Sequence, residues 1–344
     1  MKISKLFCVL FLELFLLAIL AGDTQAQKGK PQPPPPPPTT QPDPAFAYVV
    51  SGNNQYDLMV MDADGSHQLT VISQKFTGNT EPDWSPDGKR LALAREIYGN
   101  LKGLTTGLYV VNVDKTGLKW LANSSLQRPA WSPVPLGDGK NKIAFPSRLM
   151  PDGTIASKSD LFLVNEDGSG LTRLTDTPDL WEFDIDWSPL ANRLAVDSFD
   201  GVTEDLVIYR VDCGIDQECS AVRERGLFNI PGSPLEGRGG FGFDWAKTQD
   251  RIVVSANTAS DGTYDLWIID PDNLSSPLQL TSTPGVNEYN PTWSPDDARI
   301  AFTSNPRGGP LSLEVMNSNG TNRTTIPLPA GLNGAWGVNW RRNP

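Results

Sequence analysis

Residues Glu81-Pro82-Asp83-Trp84-Ser85-Pro86-Asp87-Gly88 return, in altered form, as Asn290-Pro291-Thr292-Trp293-Ser294-Pro295-Asp296-Asp297. Between them stand Arg128-Pro129-Ala130-Trp131-Ser132-Pro133 and Asp184-Ile185-Asp186-Trp187-Ser188-Pro189. Weaker copies are Phe243-Asp244-Trp245-Ala246 and Val338-Asn339-Trp340. The six tryptophans are separated by 47, 56, 58, 48 and 47 residues. A repeat of that length holds four short strands, the unit of a β-propeller blade.

Each copy continues alike. An apolar strand follows the turn, as in Arg90-Leu91-Ala92-Leu93-Ala94, Lys142-Ile143-Ala144-Phe145 and Arg299-Ile300-Ala301-Phe302. A third strand follows, such as Asp160-Leu161-Phe162-Leu163-Val164 or Asp265-Leu266-Trp267-Ile268-Ile269. Turns such as Asp62-Ala63-Asp64-Gly65 and Asn317-Ser318-Asn319-Gly320 supply residues that tolerate left-handed backbone. An outer strand such as Leu171-Thr172-Arg173-Leu174-Thr175 ends the unit. The sixth unit stops at its tryptophan strand, and the first begins at Ala45-Phe46-Ala47-Tyr48-Val49-Val50, which matches a second strand. Together the two make one blade. The N-terminal strands are expected to pair with the strand ending at Trp340 and so remove the open edges of the ring. The predicted fold is an all-β, six-bladed propeller with four-stranded antiparallel blades.

The Trp-Ser-Pro-Asp-Gly turn and the Arg/Lys-Leu/Ile-Ala strand after it resemble the WD40-like repeat of TolB-type propellers. The resemblance runs from about residue 45 to 340 and implies the fold. TolB itself has an α/β domain before its propeller and takes part in an envelope-spanning protein complex, which implies a protein partner. Here a proline-rich segment stands at the position of that domain. Related propellers that cap a serine peptidase imply a catalytic domain for which this chain has no room.

The 344 residues suffice for a sizeable core, and 31 glycines and 30 prolines suit many short strands joined by turns. The formal net charge of -11 disfavours nucleic acid and anionic lipid as partners. The basic start Met1-Lys2-Ile3-Ser4-Lys5, the apolar run Leu6 to Ala21 and the small residues around Ala26 read as a signal peptide over 1–26. As a helix the run would extend about 24 Å, short of a roughly 30 Å hydrocarbon core. The expected location is periplasmic or secreted, with no membrane insertion after cleavage. Residues 27–44 form a linker whose prolines suit an extended spacer. The propeller then occupies 45–344.

Removing the signal leaves Cys213 and Cys219, an even count that in an exported chain predicts a disulfide. The only histidine, His67, lies in a turn before an outer strand, so a Ser-His-Asp triad has no positioned base. Gly237, Gly239 and Gly242 match a nucleotide-binding spacing but precede a repeat strand rather than a helix. Asp62-Ala63-Asp64-Gly65 lacks the further oxygens of an EF-hand.

One constellation carries chemistry. Glu81, Asp83, Asp184, Asp186 and Asp244 precede the repeat tryptophans, with Glu182 and Glu288 slightly upstream. Inner strands surround one channel, so these acids are expected to converge there, partly offset by Arg128 and Arg238. They are either inter-blade partners or a seat for a cation, with calcium the hard ion that oxygen donors favour. A lysine- or arginine-bearing peptide would satisfy the same field. The functional expectation is an exported binding or scaffold module for a protein, peptide or glycan. The rivals are a carboxylate-based glycosidase or lyase and a purely structural tethered head. No cofactor other than calcium is indicated.

Overall fold

The computed structural model describes residues 44–52, 55–74, 81–97, 105–124, 127–150, 154–214, 218–230, 232–237, 240–257, 261–307, 309–328 and 335–342. The signal segment, the linker apart from Pro44, and Arg238 and Gly239 lie outside them. Six four-stranded antiparallel sheets make up the described chain, which contains no helix. It therefore contains no helix long and apolar enough to cross a membrane. We number the blades I to VI by their inner strands, which end at Trp84, Trp131, Trp187, Trp245, Trp293 and Trp340.

Blade VI closes the ring as expected. Its inner strand, Ala335–Trp340, pairs antiparallel with Phe46–Gly52, so Phe46 lies opposite Trp340 and Ala47 opposite Asn339. Gln55–Met61 and Leu69–Gln74 complete the sheet. The Phe46 and Trp340 rings meet at 4.6 Å between centroids.

Alternation along a strand explains where the core sits. Successive side chains leave opposite faces of a blade, and each face meets a different neighbour. Six hydrophobic clusters result, one per blade interface. Each repeat tryptophan faces the preceding blade: Trp187 packs with Ala144, Leu161 and Leu163 of blade II, and Trp245 with Ala195, Leu206 and Ile208 of blade III. Two indole N–H groups also donate across that boundary, Trp187 to the Ala130 carbonyl at 3.1 Å and Trp84 to that of Asn339 at 3.2 Å. Arginines at the start of second strands cover the tryptophan of the following blade. Arg90 lies 4.9 Å from the Trp131 ring and Arg299 4.9 Å from that of Trp340, within cation–π range.

The repeat turn is held by its own polar side chains. Ser85 Oγ donates to Asp87 Oδ1 at 2.5 Å and accepts from the Arg90 N–H at 2.9 Å. Ser294 and Asp296 repeat the pattern with Arg299. Gly88 sits at φ +66°, and a Cβ there would lie 2.6 Å from Arg341 Cδ, so glycine spares both backbone strain and a shift of that side chain. Cys213 and Cys219 are joined in a disulfide between the third and fourth strands of blade III. His67 lies in its turn with Nδ1 2.7 Å from Asp62 Oδ2.

Candidate functional site: a channel in three tiers

Counting from each tryptophan sorts the channel into tiers. Three residues before it stand Glu81, Arg128, Asp184, Gly242, Asn290 and Gly337. One residue before it stand Asp83, Ala130, Asp186, Asp244, Thr292 and Asn339. Two residues after it stand Pro86, Pro133, Pro189, Lys247, Pro295 and Arg342. The first and third tiers are five residues apart, roughly 16 Å along an extended strand, so they frame opposite mouths. The five acids singled out from the sequence fall on two tiers, not one.

The middle tier latches blades together. Asp83 Oδ2 accepts the Trp131 amide at 2.6 Å, Asp186 Oδ2 that of Trp245 at 2.7 Å, and Asp244 Oδ2 that of Trp293 at 2.7 Å. Thr292 Oγ1 does the same for Trp340 at 3.1 Å. Ala130 has no acceptor to offer, and the Trp187 amide instead meets Asp186 Oδ1 at 2.9 Å. Each of these acceptors thus reaches the blade that follows it, as its tryptophan reaches the blade before.

Three cations enter this tier. Arg128 donates through Nη2 to Asp244 Oδ1 at 3.1 Å and through Nη1 to the Phe243 carbonyl at 2.8 Å. Lys247 Nζ lies 2.6 Å from Asp244 Oδ2, and Arg342 Nη2 lies 2.8 Å from Asp186 Oδ1. All five side chains are buried. Burial alone would push the Asp244 carboxyl up, but Lys247, Arg128 and Arg342 outweigh it and hold the group at about 2. Lys247 and Arg342 escaped the sequence reading. The signal was available, since both replace the proline of the repeat turn.

The first tier is lopsided. Blades I to III present Glu81, Arg128 and Asp184, whereas blades IV to VI present Gly242, Asn290 and Gly337 in left-handed backbone. A Cβ on Gly337 would fall 2.4 Å from Glu81 Cγ, and one on Gly242 would fall 2.5 Å from Asn290 Oδ1. These glycines give way to the side chain of the following blade. Arg128 turns its guanidinium toward the middle tier, while its N–H donates to Asp184 Oδ1 at 3.3 Å. That leaves two carboxyls at the lip. Burial and repulsion from Asp184, against the pull of Arg128, push Glu81 up to about 7. Burial also raises Asp184. Behind them, Asp197 is pushed up to about 8 by burial and by Glu204, Asp184 and Asp205. Asp197 borders a cavity of about 10 Å³ between blades III and IV, room for about one water molecule.

Glu182 and Glu288 lie deeper between blades and form one repeated motif. Glu182 accepts from Thr175 Oγ1 at 2.6 Å, and Glu288 accepts from Thr281 Oγ1 at 2.7 Å and Arg323 Nη1 at 2.7 Å. Among the described residues, no three His, Cys, Asp or Glu side chains are grouped so as to hold a metal ion.

No family model matches the chain. The fold is similar to TolB from Acinetobacter baumannii, with a TM-score of 0.64 and 19% identity, over 87% of this chain and 66% of that one. It thus spans just under two thirds of that protein. A TolB structure from Agrobacterium tumefaciens gives 0.56 and 18%, over 86% of this chain and 98% of that one. An oligogalacturonate lyase from Vibrio parahaemolyticus gives 0.50 and 15%, over 78% and 73%. At these identities the likeness is one of fold: the chain is a TolB-like six-bladed propeller.

Proposed function

We propose that the chain is an exported binding module that seats a cationic group of a protein or peptide partner at the first-tier mouth. One observation carries this reading. Of the acids around the channel, Asp83, Asp186 and Asp244 are engaged by the amides of following blades. Glu81 and Asp184, the latter accepting the Arg128 amide of the preceding blade, stand together at the lip, where burial first and repulsion from Asp184 second hold Glu81 near 7. A lysine or arginine side chain placed between them would relieve that repulsion. With no three-ligand acid group among the described residues, an ammonium or guanidinium fits this pair better than calcium. The overall charge of -11 favours the same class of partner, and the resemblance to TolB-type propellers implies a protein.

A second reading rests on the same pair. Two carboxyls, one of them held near neutrality, form an acid–base couple suited to glycan cleavage, and a lyase shares the fold. A screen of the purified protein against basic peptides and acidic and neutral glycans separates the two. Saturable peptide binding without product supports the binding module. Product from any glycan supports the enzyme, and neither result would overturn both readings.

A further inference from the structure

The opposite mouth carries the reverse charge. Lys247 and Arg342 stand there among four prolines, and these side chains line an open cavity of about 180 Å³. Their head groups reach inward to Asp244 and Asp186, where Arg128 also arrives from the other side. Three cations therefore meet the three carboxylates of the middle tier. Asp83, the remaining acid of that tier, acts on Arg128 and is bonded to the Trp131 amide.

Arg342 is the member with donors to spare. Its side chain is only 6% exposed and binds Asp186 through Nη2. Its Nε and Nη1 have no hydrogen-bond partner. A guanidinium offers five donors in a planar fork, and buried donors left unpaired are costly. An acceptor can approach Arg342 from the cavity it lines. Pro86, Pro133, Pro189 and Pro295, with Val134, give the cavity an apolar wall. The volume is close to the roughly 150 Å³ that accommodates a benzene-sized group.

We propose that this mouth binds a carboxylate carried on a compact apolar body, the carboxylate accepting from Arg342 Nη1 beside Lys247 and the body against the proline ring. The chemistry is shared by a free monocarboxylate and by the C-terminal residue of a polypeptide. It is independent of the cationic partner proposed for the other mouth, because the two sites lie at opposite ends of the inner strands.

The test uses the mature chain with its linker. Benzoate is the probe, and benzyl alcohol has the same body without the charge. Calorimetry should show saturable benzoate binding, and the melting temperature should climb with benzoate concentration. Benzyl alcohol should bind about tenfold more weakly or worse. Arg342→Lys keeps a positive charge beside Asp186 but removes the fork, and should weaken benzoate by about tenfold or more. No saturable binding by the wild type, or equal binding of benzoate and benzyl alcohol, overturns the proposal without any variant. So does unchanged benzoate affinity in an Arg342→Lys protein that melts normally. A tetrapeptide ending in phenylalanine assigns the source. Tighter binding of its free acid than of benzoate, lost on C-terminal amidation, identifies a polypeptide C-terminus, whereas tighter benzoate binding identifies a free carboxylate. Both outcomes support the carboxylate site.

Discussion

Aspartate does two different jobs in this channel, and position relative to tryptophan decides which. One residue before it, the carboxylate accepts an amide from the next blade and pairs with cations. Asp244→Ala would leave Arg128 and Lys247 buried against a missing partner, at a cost of roughly 3–5 kcal/mol. A denaturant midpoint lowered accordingly, with the slope unchanged, is the expected result. Away from that tier, burial and like charge raise Asp197 and Glu81. Asp197 is held at about 8 against an ordinary value near 4. Because its folded pKa is raised, its contribution to stability is fully present below the ordinary value and is lost as pH rises through about 8. Asp197→Asn should therefore match the wild type at about pH 3 and be the more stable protein at about pH 9. Melting curves at the two pH values check this, and parallel curves for both proteins would remove Asp197 from the account.

The strands were legible because the repeat carries its own ruler. Trp-Ser-Pro fixes the end of each inner strand, and the Arg/Lys-Leu/Ile-Ala segment fixes the second. Alternation then assigns faces without any alignment. Alternation does not name partners, however. Nothing in Asp83 itself says that its carboxylate meets the Trp131 amide, because that contact joins residues 48 positions apart. The acids were visible from sequence, while Lys247 and Arg342 were hidden in turns where prolines were expected and where strand periodicity gives no direction. The division of the acids between two tiers required only counting from tryptophan. Their separation into latches and lip required the ring. The disulfide at the edge of blade III is a local staple of the same element scale. Its reduction should lower stability by about 2–3 kcal/mol in the chain-entropy view, and a Cys213→Ser, Cys219→Ser variant should show that loss without losing the fold.

At the scale of the whole molecule, the chain closes a circle whose last blade is supplied by both ends. Phe46–Gly52 pairs with Ala335–Trp340, and Arg342 just beyond them ties the end of the chain to Asp186 in blade III. Deleting residues 336–344 should lower the melting temperature of the entire ring in one transition, whereas melting like the intact protein would contradict closure. The closed ring also sets the polarity of the channel. Carboxyls stand at the mouth where inner strands begin, and cations at the mouth where they end. The claim that rests most directly on this polarity is that the acidic lip receives a cationic partner. Calorimetric titration of one lysine- and arginine-bearing peptide into the wild type and a Glu81→Gln, Asp184→Asn double variant tests it, with calcium titrated alongside. The account predicts saturable peptide binding by the wild type and affinity weakened about tenfold or more in the variant, at unchanged melting temperature or above. Equal binding by the two proteins, or none by the wild type, would contradict it.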